Sequence, residues 1–571
     1  MNMNCRRPIL HAWESSPARV RALLLLLVMC VAGLPSVARA ISGDAPALVV
    51  VLVVDGVPQE QVVKYRDLYG PGGFRLLLDN GAWYGNAHHG HAATLTAPGH
   101  ASILSGSYPY RNGIIANEWV DRHTLAQVYC AGDAAHSYIG EQTGKLDGTS
   151  PANLKVSTLG DELRYATGNR SKVLTVSGKD RGAILLAGKT GTAYMYMSKS
   201  GRFASSTYYM PAHPDWHMRY YAGKPQDKWF TQTWTPLLQE AAYARSSSAA
   251  QPWYGNLAGM GRAFPFKPGR GAAPDAAYYA ALMGTPFGDE ATLEFARVAM
   301  EGEQLGRNPA GVPDLLGISL STHDYVNHAF GPESHVSQDH LLRLDRALAG
   351  FFETLDRNIG LRNVAIVLTA DHGFMNVPDY VTAQGLAGAR PSSLKMMGAL
   401  NEHLTARFGP GNHALRFSYP TIILDQGLIA KKGLKPAEVE AAAAQFLMSD
   451  SSIAVVYTRT QLEAGALPVG LPLSAQVLRA WNRELSGDLY VVQKPYAIFS
   501  SNTATHGSPY NYDTNVPLMF YGPRWFKAGK RPQTAAVVDI APTLGYVLEV
   551  RPPTASEGRV LEEILDRKSV V

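Results

Sequence analysis

The sequence predicts an α/β fold, a largely parallel sheet covered by helices on both faces in a three-layer αβα sandwich. Short, continuous apolar runs recur at residues 47–54, 172–176, 315–320, 363–369 and 516–521, bounded by Gly, Pro, Asn or Asp. Runs without polar alternation are what strands buried on both faces require. Helical patterns lie between them: residues 334–357 keep Val336, Leu341, Leu344, Leu348, Phe351 and Leu355 on one stripe, and residues 436–448 are rich in Ala and Glu. Strand alternating with helix implies a parallel sheet, and ligands of such sheets gather beyond the carboxyl ends of the strands.

The order of elements starts with a processing signal over residues 1–40. Arg19 and Arg21 precede the apolar run 23–32, and Ala38-Arg39-Ala40 ends in a small-x-small cleavage pattern. The run is shorter than the roughly 20 residues of a spanning helix, so export with cleavage near Ala40 is expected. A lipoprotein reading through Cys30 is a minor alternative. The signal holds five arginines against Glu14, so the remainder of a chain with 52 basic and 47 acidic residues is nearly neutral, which argues against nucleic acid as the main partner. Cys5 and Cys30 fall in the signal, leaving Cys130 alone in a single domain over 41–571.

The first strand, 47–54, runs into Asp55-Gly56. Residues 94–102, Thr94-Leu95-Thr96-Ala97-Pro98-Gly99-His100-Ala101-Ser102, read as a helix start with Pro98 in the first turn and Thr96 just before it. Free N–H groups there favour an anion. The strand 172–176 leads to Lys179-Asp180-Arg181; in an extended segment Lys179 and Arg181 project to one side. A long insertion, about 185–310, carries Trp216, Trp229, Trp234 and Trp253. The strand 315–320 precedes Asp324-x-x-x-His328, which share a face if helical. The strand 363–369 ends at Asp371-His372. A second insertion, about 374–505, is followed by His506 and the last strand, 516–521. Asp and His residues at successive strand ends are hard and borderline ligands for ions such as Zn²⁺, and a nearby metal would activate a threonine hydroxyl that is otherwise a poor nucleophile.

Asp55-Gly56, Thr96-Ala97-Pro98-Gly99-His100, Gly113-Ile114-Ile115-Ala116-Asn117, Asp324-x-x-x-His328-x-x-Gly331-Pro332, Ala370-Asp371-His372-Gly373, His506-Gly507 and Asp539-Ile540-Ala541-Pro542-Thr543-Leu544 stand in the order seen in the alkaline phosphatase superfamily. The chain resembles its threonine-nucleophile branch, and its Lys179-x-Arg181 pair resembles that of the phosphate-irrepressible alkaline phosphatases. The resemblance implies an alkaline-phosphatase-type sandwich whose large insertions form a cap. It implies two Zn²⁺, one held by Asp324, His328 and His506 and the other by Asp55, Asp371, His372 and Thr96. Thr96 would be the nucleophile, passing through a phosphothreonine, and Asn117, Lys179 and Arg181 would bind the phosphoryl oxygens of small-molecule phosphate monoesters. The expected protein is a periplasmic or secreted alkaline phosphatase with no stable membrane span. A phosphodiesterase or nucleotide pyrophosphatase on the same zinc site is the alternative, and a catalytically dead binding protein on this fold is a third reading that the intact ligand set disfavours. His88, His89 and His91 read as solvated loop histidines, with a third metal as the rival reading. Cys130 lacks a Cys-x-Pro-x-Arg context and reads as a small buried residue.

Overall fold

The computed structural model describes residues 43–465, 467 and 473–566; the signal predicted over 1–40 lies outside them. The central sheet comprises β1 (Leu48–Val54), β2 (Ala82–Tyr84), β3 (Val173–Ser177), β4 (Thr192–Met197), β5 (Arg202–Ala204), β6 (Asp314–Leu320) and β7 (Val364–Thr369). A second sheet is formed by β8 (Ala414–Ser418), β9 (Thr421–Leu424), β10 (Ile453–Thr458) and β11 (Leu489–Gln493). The chain then returns to the central sheet with β12 (Leu518–Tyr521) and β13 (Gly529–Arg531). The order in the central sheet is β13-β2-β12-β7-β1-β6-β3-β4-β5. The five strands β7, β1, β6, β3 and β4 run parallel.

Every residue of β1, β6 and β7 is buried, so the apolar runs were read correctly to within a residue or two at each end. The last predicted strand differs. It begins at Leu518 and pairs antiparallel with β7, because Pro517 has no N–H to give a ladder and direction leaves no mark in composition.

Eight helices matter for the site: α1 (Thr96–Ser105), α2 (Asp180–Ala187), α3 (Pro286–Glu303), α4 (Thr322–Phe330), α5 (His335–Ile359), α6 (Ser393–Phe408), α7 (Pro436–Leu447) and α8 (Ile540–Val547). Helices α3, α4 and α5 pack in one layer and α1, α2 and α8 in the other. The stretch expected as a first insertion is partly core, since β4, β5 and α3 fall within it. Its Trp229 and Trp234 are buried in the main hydrophobic cluster, with Trp216 and Trp253 packed against it, and Trp234 donates to Asp339 on α5 at 2.6 Å. The second insertion builds β8 to β11 with α6 and α7 around a cluster of its own. No helix among the described residues is long and apolar enough to cross a membrane.

Candidate active site

The carboxyl ends of β1, β6 and β7 bring together Asp55, Asp371 and His372 in one group and Asp324, His372 and His506 in another, ligand atoms within each lying no more than 4.8 Å apart. His328 joins the second group, its Nε2 3.4 Å from Asp324 Oδ1, and His506 Nε2 lies 3.5 Å from the same oxygen. His372 Nε2 bridges the groups, 3.5 Å from both Asp55 Oδ1 and Asp371 Oδ2, and its ring stacks on His506 with centroids 3.4 Å apart.

Backbone carbonyls aim the three imidazoles. Nδ1 of His328, His372 and His506 donates to the carbonyls of Ala504 (3.0 Å), Gly373 (2.8 Å) and Thr94 (2.8 Å). A carbonyl only accepts, so each ring turns an unprotonated Nε2 inward, the arrangement a metal-binding histidine needs. Burial lowers the pKa of His372 and His506, keeping both neutral, which is the ligand form. Asp55 Oδ1, Asp324 Oδ1, Asp371 Oδ2 and His372 Nε2 are buried with no hydrogen-bond partner. Burial, then repulsion from Asp371, pushes the Asp55 carboxyl well above its usual range. Unpartnered acceptors facing one another are costly, and this donor set fits two divalent cations.

Glycines allow the close approach. Gly56 (φ +71) donates its N–H to Asp371 Oδ1 at 3.1 Å, its carbonyl accepts from Asn327 Nδ2 at 3.0 Å, and a Cβ there would lie 3.3 Å from Asp324 Cα. One residue thus ties three ligand segments. At Gly99 a Cβ would come 2.0 Å from the Asp371 carbonyl oxygen, so only glycine lets the first turn of α1 sit on that strand end. Thr96 is the first residue of α1 rather than the residue before it, and is buried. The carbonyl of Thr96 accepts from His100 Nδ1 at 2.8 Å, and that nitrogen is 3.2 Å from Asp371 Oδ2. Asn117 Oδ1 accepts from the Ala97 N–H at 2.8 Å, which leaves the Asn117 amide hydrogens free for a ligand beside Thr96.

Lys179 Nζ lies 2.8 Å from Asp55 Oδ2 and 2.6 Å from Asp324 Oδ2. Burial opposes its charge, but Asp324 and Asp55 hold its pKa above the lysine norm. The segment after β3 is not extended: Lys179 caps α2, and Asp180 and Arg181 begin it. Both basic residues nevertheless line one cleft of about 1020 Å³, together with Tyr325 and His328. Sequence reasoning missed Asp180, which accepts from Tyr129, from Tyr138 (3.4 Å) and from the Gly148 N–H (2.6 Å) and so shapes the cleft wall; only its place between two singled-out residues hinted at it. It also missed Asn327. His89 and His91, expected to be solvated, are buried; His89 Nε2 donates to the Ala370 carbonyl at 2.9 Å, and only His88 remains partly open. Cys130 is a free, buried thiol.

A doubly covered sheet with clustered metal-ligand side chains at its strand ends is the architecture of the alkaline phosphatase superfamily. Within it, the chain belongs to the type I phosphodiesterase / nucleotide pyrophosphatase family, whose model matches residues 49–504. It is 32% identical over 552 residues to alkaline phosphatase PafA of Elizabethkingia meningoseptica, covering 95% of this chain and 99% of that one. It is 35% identical over 528 residues to alkaline phosphatase PhoV of Synechococcus elongatus, covering 91% and 93%. The crystal structure of PafA superposes with a TM-score of 0.85 at 31% identity, covering 91% of this chain and 99% of that one. A solved variant of PafA is altered at a threonine, an asparagine, a lysine and an arginine spaced as Thr96, Asn117, Lys179 and Arg181 are here.

Proposed function

We propose that the protein is an exported alkaline phosphatase that hydrolyses phosphate monoesters through a phosphothreonine formed on Thr96. The observation that carries this reading is the convergence of three carboxylates and three inward-facing imidazoles at the N-terminus of α1, with Lys179 and Arg181 on the adjoining cleft. The alkaline phosphatase relatives support it, as does the matching spacing of the four residues altered in the PafA variant.

Asp324, His328 and His506 would hold one zinc, and Asp55, Asp371, His372 and Thr96 the other. Bound zinc supplies Lewis acidity at the apical oxygens and lowers the pKa of hydroxyl and water. Thr96 Oγ1, having given its proton to solvent, attacks phosphorus in line; the Oγ1–P bond forms, the P–O ester bond breaks, and the leaving alkoxide takes one proton back from solvent to depart as the alcohol. Asn117 Nδ2 donates to one non-bridging oxygen while Lys179 and Arg181 offset charge on the others. Water then breaks the Oγ1–P bond, releasing phosphate and restoring the threonine.

A monoester dianion leaves three oxygens for Asn117 and the basic pair, whereas a diester fills one position and carries one charge fewer. Each charge-assisted contact contributes about 1.5–3 kcal/mol, so Lys179→Ala/Arg181→Ala should cost roughly two to four decades of kcat/KM on an aryl phosphate and far less on the aryl diester. A wild type that prefers the diester, or an equal loss on both, would refute the assignment. The phosphodiesterase reading would then take its place. It is favoured by the family description and by a groove of about 400 Å³ beside Asn117, lined by Leu95, Trp119, Phe417 and Tyr419, into which a second ester substituent would fit.

A further inference from the structure

Behind α4 lies a line of buried polar side chains that touches neither the phosphoryl position nor the cleft. Asn327 Nδ2 donates to the Gly56 carbonyl, which fixes the amide, so Asn327 Oδ1 accepts from Ser337 Oγ at 2.7 Å. Ser337 Oγ, its hydrogen spent, accepts from Gln61 Nε2 at 2.9 Å, and Gln61 also donates to the Pro332 carbonyl. Gln61 Oε1 therefore accepts from His323 Nε2 at 2.8 Å. Beyond it, His323 Nδ1 is 3.1 Å from His340 Nδ1, and His340 Nε2 is 3.1 Å from Asp289 Oδ2. Asp289 is anchored in turn by the Thr322 N–H at 3.2 Å. All six side chains are at most 5% exposed.

The line has a direction. Both ends are acceptors: the Gly56 carbonyl closes one and the Asp289 carboxylate, facing His340, the other. With Asn327 Nδ2 turned to the Gly56 carbonyl, the donor and acceptor roles of Ser337 and Gln61 are set in turn. Reversing any one amide would place acceptor against acceptor in a buried site.

We propose that this line, headed by Asp289 and His340, is a positioning device for the metal ligands. It locks Asn327 in the orientation that ties α4, the helix carrying Asp324 and His328, to the carbonyl of Gly56, the residue that follows Asp55 and whose N–H donates to Asp371. Removing the Ser337 hydroxyl leaves Asn327 Oδ1 buried without its donor, so the amide gives up part of its hold on the Gly56 carbonyl in reaching another, and the tie between the two ligand groups loosens.

This inference rests on the two-zinc reading. The test measures zinc affinity of the full mature chain by competition with a chromophoric chelator, together with kcat and KM, for wild type, Ser337→Ala, Ser337→Thr and His340→Phe. Loss of a hydrogen bond made directly to a metal ligand weakens metal binding about 10- to 100-fold; this line acts one residue further out, so the alanine and phenylalanine variants should show a loss of about the lower end of that range and a matching fall in kcat, with KM within about twofold. Ser337→Thr, which keeps the hydroxyl, should restore both. Folded Ser337→Ala with wild-type zinc affinity and kcat overturns the proposal even if its Tm falls, since a purely structural line would move Tm alone. If His340→Phe does not fold, Ser337→Ala decides by itself. A wild type that binds no zinc would sink the two-zinc reading, whereas unchanged variants beside a zinc-binding wild type sink only this one.

Discussion

At the scale of single residues, Thr96 and Glu333 make opposite demands on their surroundings. Thr96→Ala should retain zinc and fold while turnover drops by several orders of magnitude, and Thr96→Ser should keep part of it; elemental analysis beside steady-state kinetics checks both, and wild-type turnover in the alanine variant would move the nucleophile elsewhere. Glu333 is buried with Oε2 unpartnered, and burial pushes its carboxyl up to about 8. Its folded pKa lies above its unfolded value, so the unfolded chain ionises first and stability declines as pH rises from about 4.5 to about 8. Glu333→Gln should therefore raise Tm more at pH 9 than at pH 5, and equal shifts at the two pH values would show that the folded pKa of Glu333 is not raised above its unfolded value. The residue types that converge on the site were legible because Asp and His at strand ends are conspicuous. Asn327 was not, and Gly56 and Gly99 showed only as motif residues without a role, since a missing Cβ or a backbone hydrogen bond acts across hundreds of residues and has no local signature.

At the scale of elements, the decisive contact is α1 against the end of β7. Gly99→Ala would drive a Cβ into the Asp371 carbonyl, and displacement of about 1 Å at a catalytic group costs on the order of 10²-fold. The variant should lose kcat on that scale together with part of its zinc, and wild-type metal content with wild-type kcat would show that the helix yields instead. The long central strands were read from sequence because burial on both faces forces unbroken apolar runs. The short edge strands β5 and β13, and β2 next to the edge, carry too few residues for a pattern. Lys179-Asp180-Arg181 looked extended because the switch to helix is made by Asp180, whose carboxylate accepts the Arg181 N–H at 2.6 Å.

At the scale of the whole molecule, the mature protein recovered from the exported fraction should begin at Ile41 by N-terminal sequencing, and an active cytoplasmic protein with an intact N-terminus would end the export reading. The order of the sheet has its own consequence for how the chain is made. β1, the first strand synthesised, lies inside the sheet between β6 and β7, and the Gly56 to Asp371 hydrogen bond joins residues 315 apart. No fragment that ends before β7 can close the middle of this sheet, and His506 arrives later still. Closure of such non-local pairings is slow. The centre of the sheet therefore stays incomplete until β7 has been made, and the polypeptide up to that point lacks the pairing that fixes its shape.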